Sequence, residues 1–174
     1  LDQSGAEKQL TLLASHLPKD RFDVTVCALT RGGYYEEVIR EQGIEVVVLG
    51  KRFKWDPLTL WRLRRLMLQV APDIVQTWLF AGNCYGRVAA RFAGQPKVIA
   101  SERCVDKWKR HYQFVIDRRL ARWTDIVVAN SNAVAEFYRG IGVPTSKLRV
   151  ITNAIELANS DRPKPSREEK LAEL

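Results

Sequence analysis

The polar residues that follow apolar, strand-like segments are the groups in this sequence most able to do chemistry. The densest set is Ser101-Glu102-Arg103-Cys104-Val105-Asp106, directly after the segment KVIAS. A carboxylate beside a guanidinium could hold a hydroxylated or phosphorylated substrate. The alternative is a local ion pair, with Asp106 capping the next helix. If a substrate binds there, Glu102 and Arg103 are the candidate catalytic residues.

Other polar turns lie at the end of a predicted strand or at the start of a predicted helix. At Ser4 and Gly5, the free backbone N–H groups of a helix N-terminus could hold a phosphate or a sugar, or the pair could simply cap the helix. Trp78 could stack on a sugar ring or pack at the sheet edge, and Ser131 is expected to cap the helix that follows it. The predicted substrate-binding residues are Ser4, Gly5, Trp78, Asn83, Ser101, Asn130, Ser131 and Asn153.

Several kinds of chemistry lack the residues that they need. The chain has two histidines, and its three cysteines are widely spaced without a CxxC pair, so we predict neither a metal site nor a disulfide framework. The sequence contains no GxSxG and no GxxxxGKS/T motif. Gly140-Ile141-Gly142 follows a predicted helix rather than a strand and lacks the third glycine of a dinucleotide fingerprint. We therefore expect no bound cofactor.

Apolar, β-branched segments alternate with helical segments along the chain. The predicted strands are residues 23–29, 44–49, 73–77, 97–101, 125–129 and 148–151. The predicted helices are residues 6–17, 35–42, 57–70, 82–93, 107–122 and 132–139. Several strands are continuously apolar, as expected when both faces of a sheet are covered. The alternation predicts an α/β fold of Rossmann type: a parallel sheet with helices on both faces and the polar turns gathered at one edge.

The two ends of the chain depart from this pattern. The opening LDQSGAEKQL runs into a helix without a strand before it, although the first strand of a doubly wound sheet is usually central. Either that strand lies upstream of residue 1 or this first element is misassigned. Residues 159–174 are polar and contain two prolines, which predicts a linker and the start of a further domain after a domain formed by residues 1–158.

Length, composition and charge narrow the class of protein. A chain of 174 residues with 46% hydrophobic residues fits one globular domain. No apolar run reaches the roughly 18 residues of a membrane span, and three unpaired cysteines suit a reducing compartment, so we expect a cytoplasmic protein. The net charge of +8 would attract nucleic acid, anionic lipid or phosphorylated substrates, or it reflects solvated helix faces.

Taken in order, these segments resemble the N-terminal domain of the retaining glycosyltransferases of family four. Ser4-Gly5-Ala6-Glu7 is similar to the family's N-terminal Gly-Gly-Ala-Glu motif, and residues 71–75 (APDIV) are similar to its fourth strand. Residues 147–155 (KLRVITNAI) resemble the closing segment K-V-I-P-N-G-I. The same order is continued by residues 27–33, 43–49, 94–96, 101–103 and 124–131.

The resemblance implies a GT-B enzyme, in which two Rossmann-like domains face each other across a cleft. The N-terminal domain would hold the acceptor and the C-terminal domain, beyond Leu174, the nucleotide-diphosphate sugar, without an Asp-x-Asp metal motif. Some positions depart from the family pattern. Ser4 replaces a glycine, Gln76 and Trp78 stand where a histidine often follows the fourth strand, Arg103 replaces a frequent active-site histidine, and Ala154 replaces a glycine.

We therefore interpret the chain as the acceptor-side domain of a hexosyltransferase, inactive on its own. The expected partners are a nucleotide-diphosphate sugar and a glycan or lipid-linked acceptor, and the transfer is expected to retain the anomeric configuration. The basic surface would suit peripheral contact with the anionic inner face of a membrane. The alternatives are a basic α/β module that binds phosphate or nucleic acid without catalysis, and an inert binding domain. Nucleic acid is disfavoured because the Trp and Tyr residues are spread over helices and strand ends.

Overall fold

The computed structural model describes residues 1, 4–106 and 109–155, in which strands and helices alternate. The helices are α1 (Gly5–His16), α2 (Tyr34–Glu41), α3 (Pro57–Val70), α4 (Leu79–Arg91), α5 (His111–Leu120) and α6 (Asn132–Gly140). The strands are β1 (Thr25–Ala28), β2 (Glu45–Val48), β3 (Ile74–Trp78), β4 (Lys97–Glu102), β5 (Ile126–Ala129) and β6 (Leu148–Val150). The linker and further domain predicted for residues 159–174, and the domain boundary at 158, lie outside the described residues.

All strand pairs are parallel, as the sequence predicted. β1 pairs with β2, and β3, β4, β5 and β6 pair in that order, so that Trp78 lies opposite Ser101 and Glu102 opposite Ala129. The strands form two hydrogen-bonded groups rather than one continuous sheet, because no described strand bridges the β1–β2 pair and β3. Residues 5–16 form the predicted first helix, so that element is correctly assigned.

Helices cover the sheet on both sides. Val26 and Val46 of β1 and β2 pack against α1 and α2. The alternate residues Cys27 and Val47 point the other way and join a core with α3 and α4, since neighbouring residues of a strand face opposite sides. The same core includes Val98 of β4 and therefore connects the two strand groups. A separate cluster packs α6 on β5 through buried aliphatic side chains.

Two helix starts position the residues discussed below. α3 begins as predicted: the Asp56 carboxylate accepts hydrogen bonds from the backbone N–H groups of Leu58 and Thr59, and Pro57 occupies the first position. α4, however, begins at Leu79 and not at residue 82. Leu79 has a φ of 62°, a left-handed conformation that turns the chain from β3 into α4 without a loop. Asn83, expected in the first turn of this helix, consequently lies one turn further in and is buried.

The turn between β4 and α5 also differs from the prediction. α5 begins at His111, and Asp106 does not cap it, because the Asp106 carboxylate contacts Tyr138 and Lys109 instead. The predicted end near residue 122 is confirmed in outline, since a 3₁₀ turn at Ala121–Trp123 continues the helix. Within the part of the chain that the structure describes, no helix is long and apolar enough to span a membrane.

Candidate functional site

The carboxyl ends of β3 to β6 bring four of the predicted residues together. Trp78 ends β3, and Arg103, Asn130 and Asn153 follow the next three strands. The Arg103 guanidinium lies over the Trp78 ring, 4.5 Å from its centroid, and its Nη1 donates to Asn153 Oδ1 at 2.5 Å. Asn130 Nδ2 donates to the Arg103 carbonyl oxygen at 3.1 Å. The expectation that the polar turns meet at one edge is confirmed for these residues.

Arg103 retains unused hydrogen-bonding capacity at this edge. Its Nε is buried without a hydrogen-bond partner among the described residues, as is Asn130 Oδ1. No described carboxylate forms an ion pair with Arg103, so the alternative of a local pair with Glu102 or Asp106 does not hold. Partial burial lowers the pKa of the guanidinium, which still remains charged at every ordinary pH because of its high intrinsic pKa. The geometry therefore offers a fixed cation held by stacking and one amide.

The N-terminus of α1 is tied to the same edge. The Gln9 side chain exchanges two hydrogen bonds with the backbone of Ala154, at 2.8 and 2.7 Å, so α1 lies beside the residue that follows Asn153. Ser4 is the N-cap but makes no cap hydrogen bond, and its hydroxyl binds Glu7. A Cβ added at Gly5 would meet no atom within 4 Å. Open space therefore adjoins the first turn of α1, where free N–H groups favour an anion.

Ser101 and Ser131 have structural partners. Ser101 is buried, and its Oγ accepts a hydrogen bond from Gln76 Nε2 at 3.0 Å. Ser131 Oγ accepts from the Val134 N–H, which confirms the predicted cap of α6. A substrate contact by either residue stays a prediction.

Glu102 and Asn83 lie behind the edge, inside a network of buried charges. Glu102 Oε1 accepts from Asn83 Nδ2 at 2.8 Å, and Glu102 Oε2 accepts from the Tyr138 hydroxyl at 2.7 Å. Glu102 and Asn83 are 4% and 0% exposed, so neither side chain is open to a ligand in solvent from this position. Their predicted catalytic and substrate-binding roles stay predictions, and the contacts favour a role in positioning the Arg103 turn.

Two cations neutralise the carboxylates of this network. The Lys109 ammonium contacts Asp106 at 2.7 Å, Asp117 at 2.9 Å and Glu102 at 3.9 Å. Arg87 Nη2 contacts the other oxygen of Asp117 at 3.0 Å. The acidic groups are thus occupied by protein cations. Nowhere in residues 1, 4–106 and 109–155 do three or more His, Cys, Asp or Glu side chains group as metal ligands would.

Burial dominates the proton affinity of Glu102. It raises the pKa of this carboxyl to about 7, against the opposing effects of Lys109 and of the Tyr138 hydrogen bond. Burial likewise raises the pKa of Tyr138, so its phenol stays protonated, and its single hydroxyl proton is shared between Glu102 Oε2 and Asp106 Oδ2. A carboxyl whose pKa lies near neutrality therefore stands one residue before Arg103.

The free energy of unfolding is expected to fall as the pH rises from about 4.5 to about 7, more steeply in the wild type than in Glu102→Gln. Across this window the folded chain holds the Glu102 proton that the unfolded chain releases, so the stabilisation is complete below the window and is lost above it. Across the whole window, the wild type should lose on the order of 1–3 kcal/mol more unfolding free energy than Glu102→Gln. Urea unfolding of both proteins at a series of pH values measures it.

The exposed Glu41→Gln is the matched control and should follow the wild-type profile. Parallel profiles for the wild type and Glu102→Gln would show that folding leaves the pKa of Glu102 unchanged.

Sequence reasoning missed the residues that support the site from other elements. Gln9 lies in α1, and the charged or hydroxyl groups of the network lie in α4, the turn before α5, α5 and α6. A charged residue in a predicted helix is usually exposed to solvent, so nothing in the sequence indicated that these side chains are buried. The residues concerned are Gln9, Arg87, Lys109, Asp117 and Tyr138.

A basic groove lies at the opposite edge, where the strands begin. It has a volume of about 560 Å³ and is lined by the C-terminal part of α5 and its 3₁₀ turn, with Arg118, Arg119, Leu120, Arg122 and Trp123. An adjoining groove of about 640 Å³ adds Lys147, whose ammonium is held by the carbonyls of Ala121 and Thr124. None of the predicted site residues lines either groove.

The fold resembles one half of several GT-B proteins. The chain superposes on Alr3699/HepE of Anabaena, in complex with UDP and glucose, with a TM-score of 0.78, 22% identity and 98% of the chain covered. It matches the lipopolysaccharide outer core galactosyltransferase WaaB at a TM-score of 0.68, with 14% identity and 95% covered. A UDP-N-acetylglucosamine 2-epimerase matches at a TM-score of 0.57, with 15% identity and 85% of the chain covered. In each case the chain spans 46% of the solved structure, about half its length.

These likenesses define a Rossmann-like domain of GT-B type, and the epimerase shows that this fold alone does not decide the reaction. No curated protein sequence matches the chain. The model of Glycosyltransferase Family 4, however, matches residues 3–159. The chain therefore belongs to Glycosyltransferase Family 4, and the resemblance in the sequence is confirmed.

Proposed function

We propose that this chain is the acceptor-side domain of an enzyme that moves a hexose from a nucleotide-diphosphate sugar to a glycan or lipid-linked acceptor. The observation that carries the proposal is the cluster of Trp78, Arg103 and Asn153 at the carboxyl edge of the strands in a Family 4 domain. Ligands of open parallel sheets bind in the crevice at this edge.

The cluster suits a hydroxylated or phosphorylated acceptor. Arg103 supplies a fixed positive charge and a buried Nε without a partner among the described residues, and the Trp78 ring limits the rotation of the guanidinium. In the transfer, the bond between the anomeric carbon and the diphosphate oxygen breaks, and the acceptor hydroxyl oxygen bonds to the same face of that carbon. The hydroxyl proton leaves with the diphosphate, whose growing charge is stabilised by N–H groups and cations.

The donor is proposed from the related structures. HepE has been crystallised with UDP and with UDP-glucose, and WaaB is a galactosyltransferase. UDP-hexoses are therefore the first donors to test, without a cofactor or metal. We place the reaction at the cytoplasmic face of an anionic membrane, because the net charge is +8 and Cys27, Cys84 and Cys104 are free thiols.

The test uses the full-length protein with UDP-glucose and UDP-galactose and a panel of glycan and lipid-linked acceptors. Release of UDP with formation of a product that keeps the donor's anomeric configuration, read by NMR, is the expected result. The 174-residue chain alone should show no turnover, since positioning the two substrates contributes on the order of 7–11 kcal/mol. Turnover by the chain alone, an inverted product, or no transfer from any nucleotide sugar would each contradict a stated part of the proposal.

A further inference from the structure

The outer face of α3 and the turn before it form an apolar surface that the core does not use. Phe53 and Trp55 are 70% and 60% exposed, and Leu58 and Trp61 of α3 are 51% and 53% exposed. Leu68 continues the row two turns further on, with 48% of its surface accessible. We call these five residues the α3 patch. Large exposed apolar side chains concentrated on one helix face and the turn before it are typical of an interaction site.

The patch is not a badly packed core face. α3 packs on the core through Thr59, Leu63 and Met67, which recur at the spacing of one helix face. Leu58, Trp61 and Leu68 recur on the opposite side of the same helix, because residues three to four positions apart share a face. α3 is therefore apolar on two opposite faces, and its packing accounts for only one of them.

Positive charge surrounds the patch. Residues 51–70 contain one carboxylate, Asp56, and both of its oxygens are occupied by the cap of α3. The Arg65 guanidinium lies 5.7 Å from the centroid of the Trp61 ring, which keeps a cation beside an exposed aromatic. The cations of this segment are Lys51, Arg52, Lys54, Arg62, Arg64 and Arg65.

We propose that the α3 patch docks on an anionic lipid bilayer, with α3 lying in the plane of the interface. Exposed Trp, Phe and Leu residues flanked by Lys and Arg are the side chains that bind at this boundary. At 14 residues, α3 is roughly 21 Å long and lies on the membrane rather than across it. A lipid surface of uniform negative charge matches a segment whose free charges are all positive, and bases would not stack on the aliphatic Leu58 and Leu68.

The patch shares an edge of the molecule with the candidate site. Lys54 Nζ donates to the Tyr112 hydroxyl at 3.0 Å, and Tyr112 lies at the start of α5, after β4 and the Arg103 turn. The Asp56 N–H donates to the hydroxyl of Tyr85 at 2.6 Å, and Tyr85 lies in the middle of α4, which follows Trp78. Docking through α3 therefore presents the carboxyl edge of the strands near the lipid surface. This consequence rests on the proposed function, whereas the docking itself does not.

Co-sedimentation of the full-length protein with vesicles tests the docking. The protein should bind vesicles of phosphatidylcholine with phosphatidylglycerol and bind pure phosphatidylcholine much more weakly. The variant Trp55→Ser/Trp61→Ser and the variant Arg52→Gln/Lys54→Gln/Arg65→Gln should each bind the anionic vesicles at least about tenfold more weakly. Circular dichroism melting curves establish that both variants fold.

Each variant has a matched control elsewhere on the surface. Phe92→Ser/Trp123→Ser removes an exposed aromatic pair from outside the α3 patch. Arg118→Gln/Arg119→Gln/Arg122→Gln removes an equal number of positive charges, three, from the groove at the opposite edge. Both controls should keep wild-type binding within about twofold, since surface changes away from the contact have small effects. Equal losses in a variant and its control, or no binding by the wild type, would overturn the proposal. The proposal would also be overturned if the wild type bound a single-stranded oligonucleotide but not vesicles, and if the α3 variants lost that oligonucleotide binding.

Vesicle binding needs no sugar transfer, so it is measured separately from activity. Transfer of the sugar to a lipid-free acceptor, without vesicle binding, would reject the docking surface alone. Vesicle binding through α3 by a protein that transfers no sugar would reject the proposed function alone.

Discussion

Arg103→Lys in the full-length enzyme is expected to lower kcat/KM on the order of 100-fold, a loss typical of removing one charge-assisted contact to the reacting groups. Arg103 is held over Trp78 and by Asn153 Oδ1 and still has a free Nε. Lysine keeps the charge but has neither the planar fork nor the stacking surface. The melting temperature should change little, because Arg103 has no ion pair among the described residues. Steady-state kinetics and thermal unfolding are measured on the same preparation.

A bracing role for Arg103 would give a different pattern. The melting temperature would fall while activity per folded molecule was preserved, and Asn153→Ala would lower it similarly. Arg119→Lys, at the opposite edge, is the control for a generic arginine change and should leave both quantities unchanged. Wild-type turnover by Arg103→Lys would remove the residue from the active site.

Lys109→Met is expected to destabilise the domain by about 3–5 kcal/mol, the range for breaking a buried ion pair from one side. The Lys109 ammonium is inaccessible to solvent and contacts carboxylates of Asp106 and Asp117, as well as the Tyr138 hydroxyl. Methionine matches much of the side-chain length, so the loss reports charge rather than a cavity. Guanidinium chloride unfolding at neutral pH measures it.

Two further variants separate charge from packing. Lys54→Met removes an exposed lysine that is hydrogen-bonded to Tyr112 and should cost less than about 0.5 kcal/mol. Adding Asp106→Asn to Lys109→Met should restore part of the stability, because it removes one uncompensated carboxylate. A Lys109→Met protein within about 1 kcal/mol of the wild type would mean that the network is not ionised as the contacts indicate.

Local sequence patterns determined most of the elements. Continuous apolar segments mark parallel strands, and Asp56 before Pro57 marks the start of α3, because caps and periodicity act over a few neighbouring residues. The same rule of strand ends also found Trp78, Arg103 and Asn153 at one edge. The start of α4 was wrong by three residues because the left-handed Leu79 is a conformation that no local pattern favours.

Only the tertiary structure decided which polar residues of that edge face outward. Glu102 and Arg103 are neighbours in sequence, yet Glu102 turns inward to Asn83 and Tyr138, which lie 19 and 36 positions away, while Arg103 stays at the edge. A charged side chain is buried only where distant partners hydrogen-bond it and neutralise it, and such partners are invisible to local patterns. The α3 patch is likewise decided by the tertiary structure. Both faces of α3 are apolar in sequence, and which of them is buried depends on where the sheet lies.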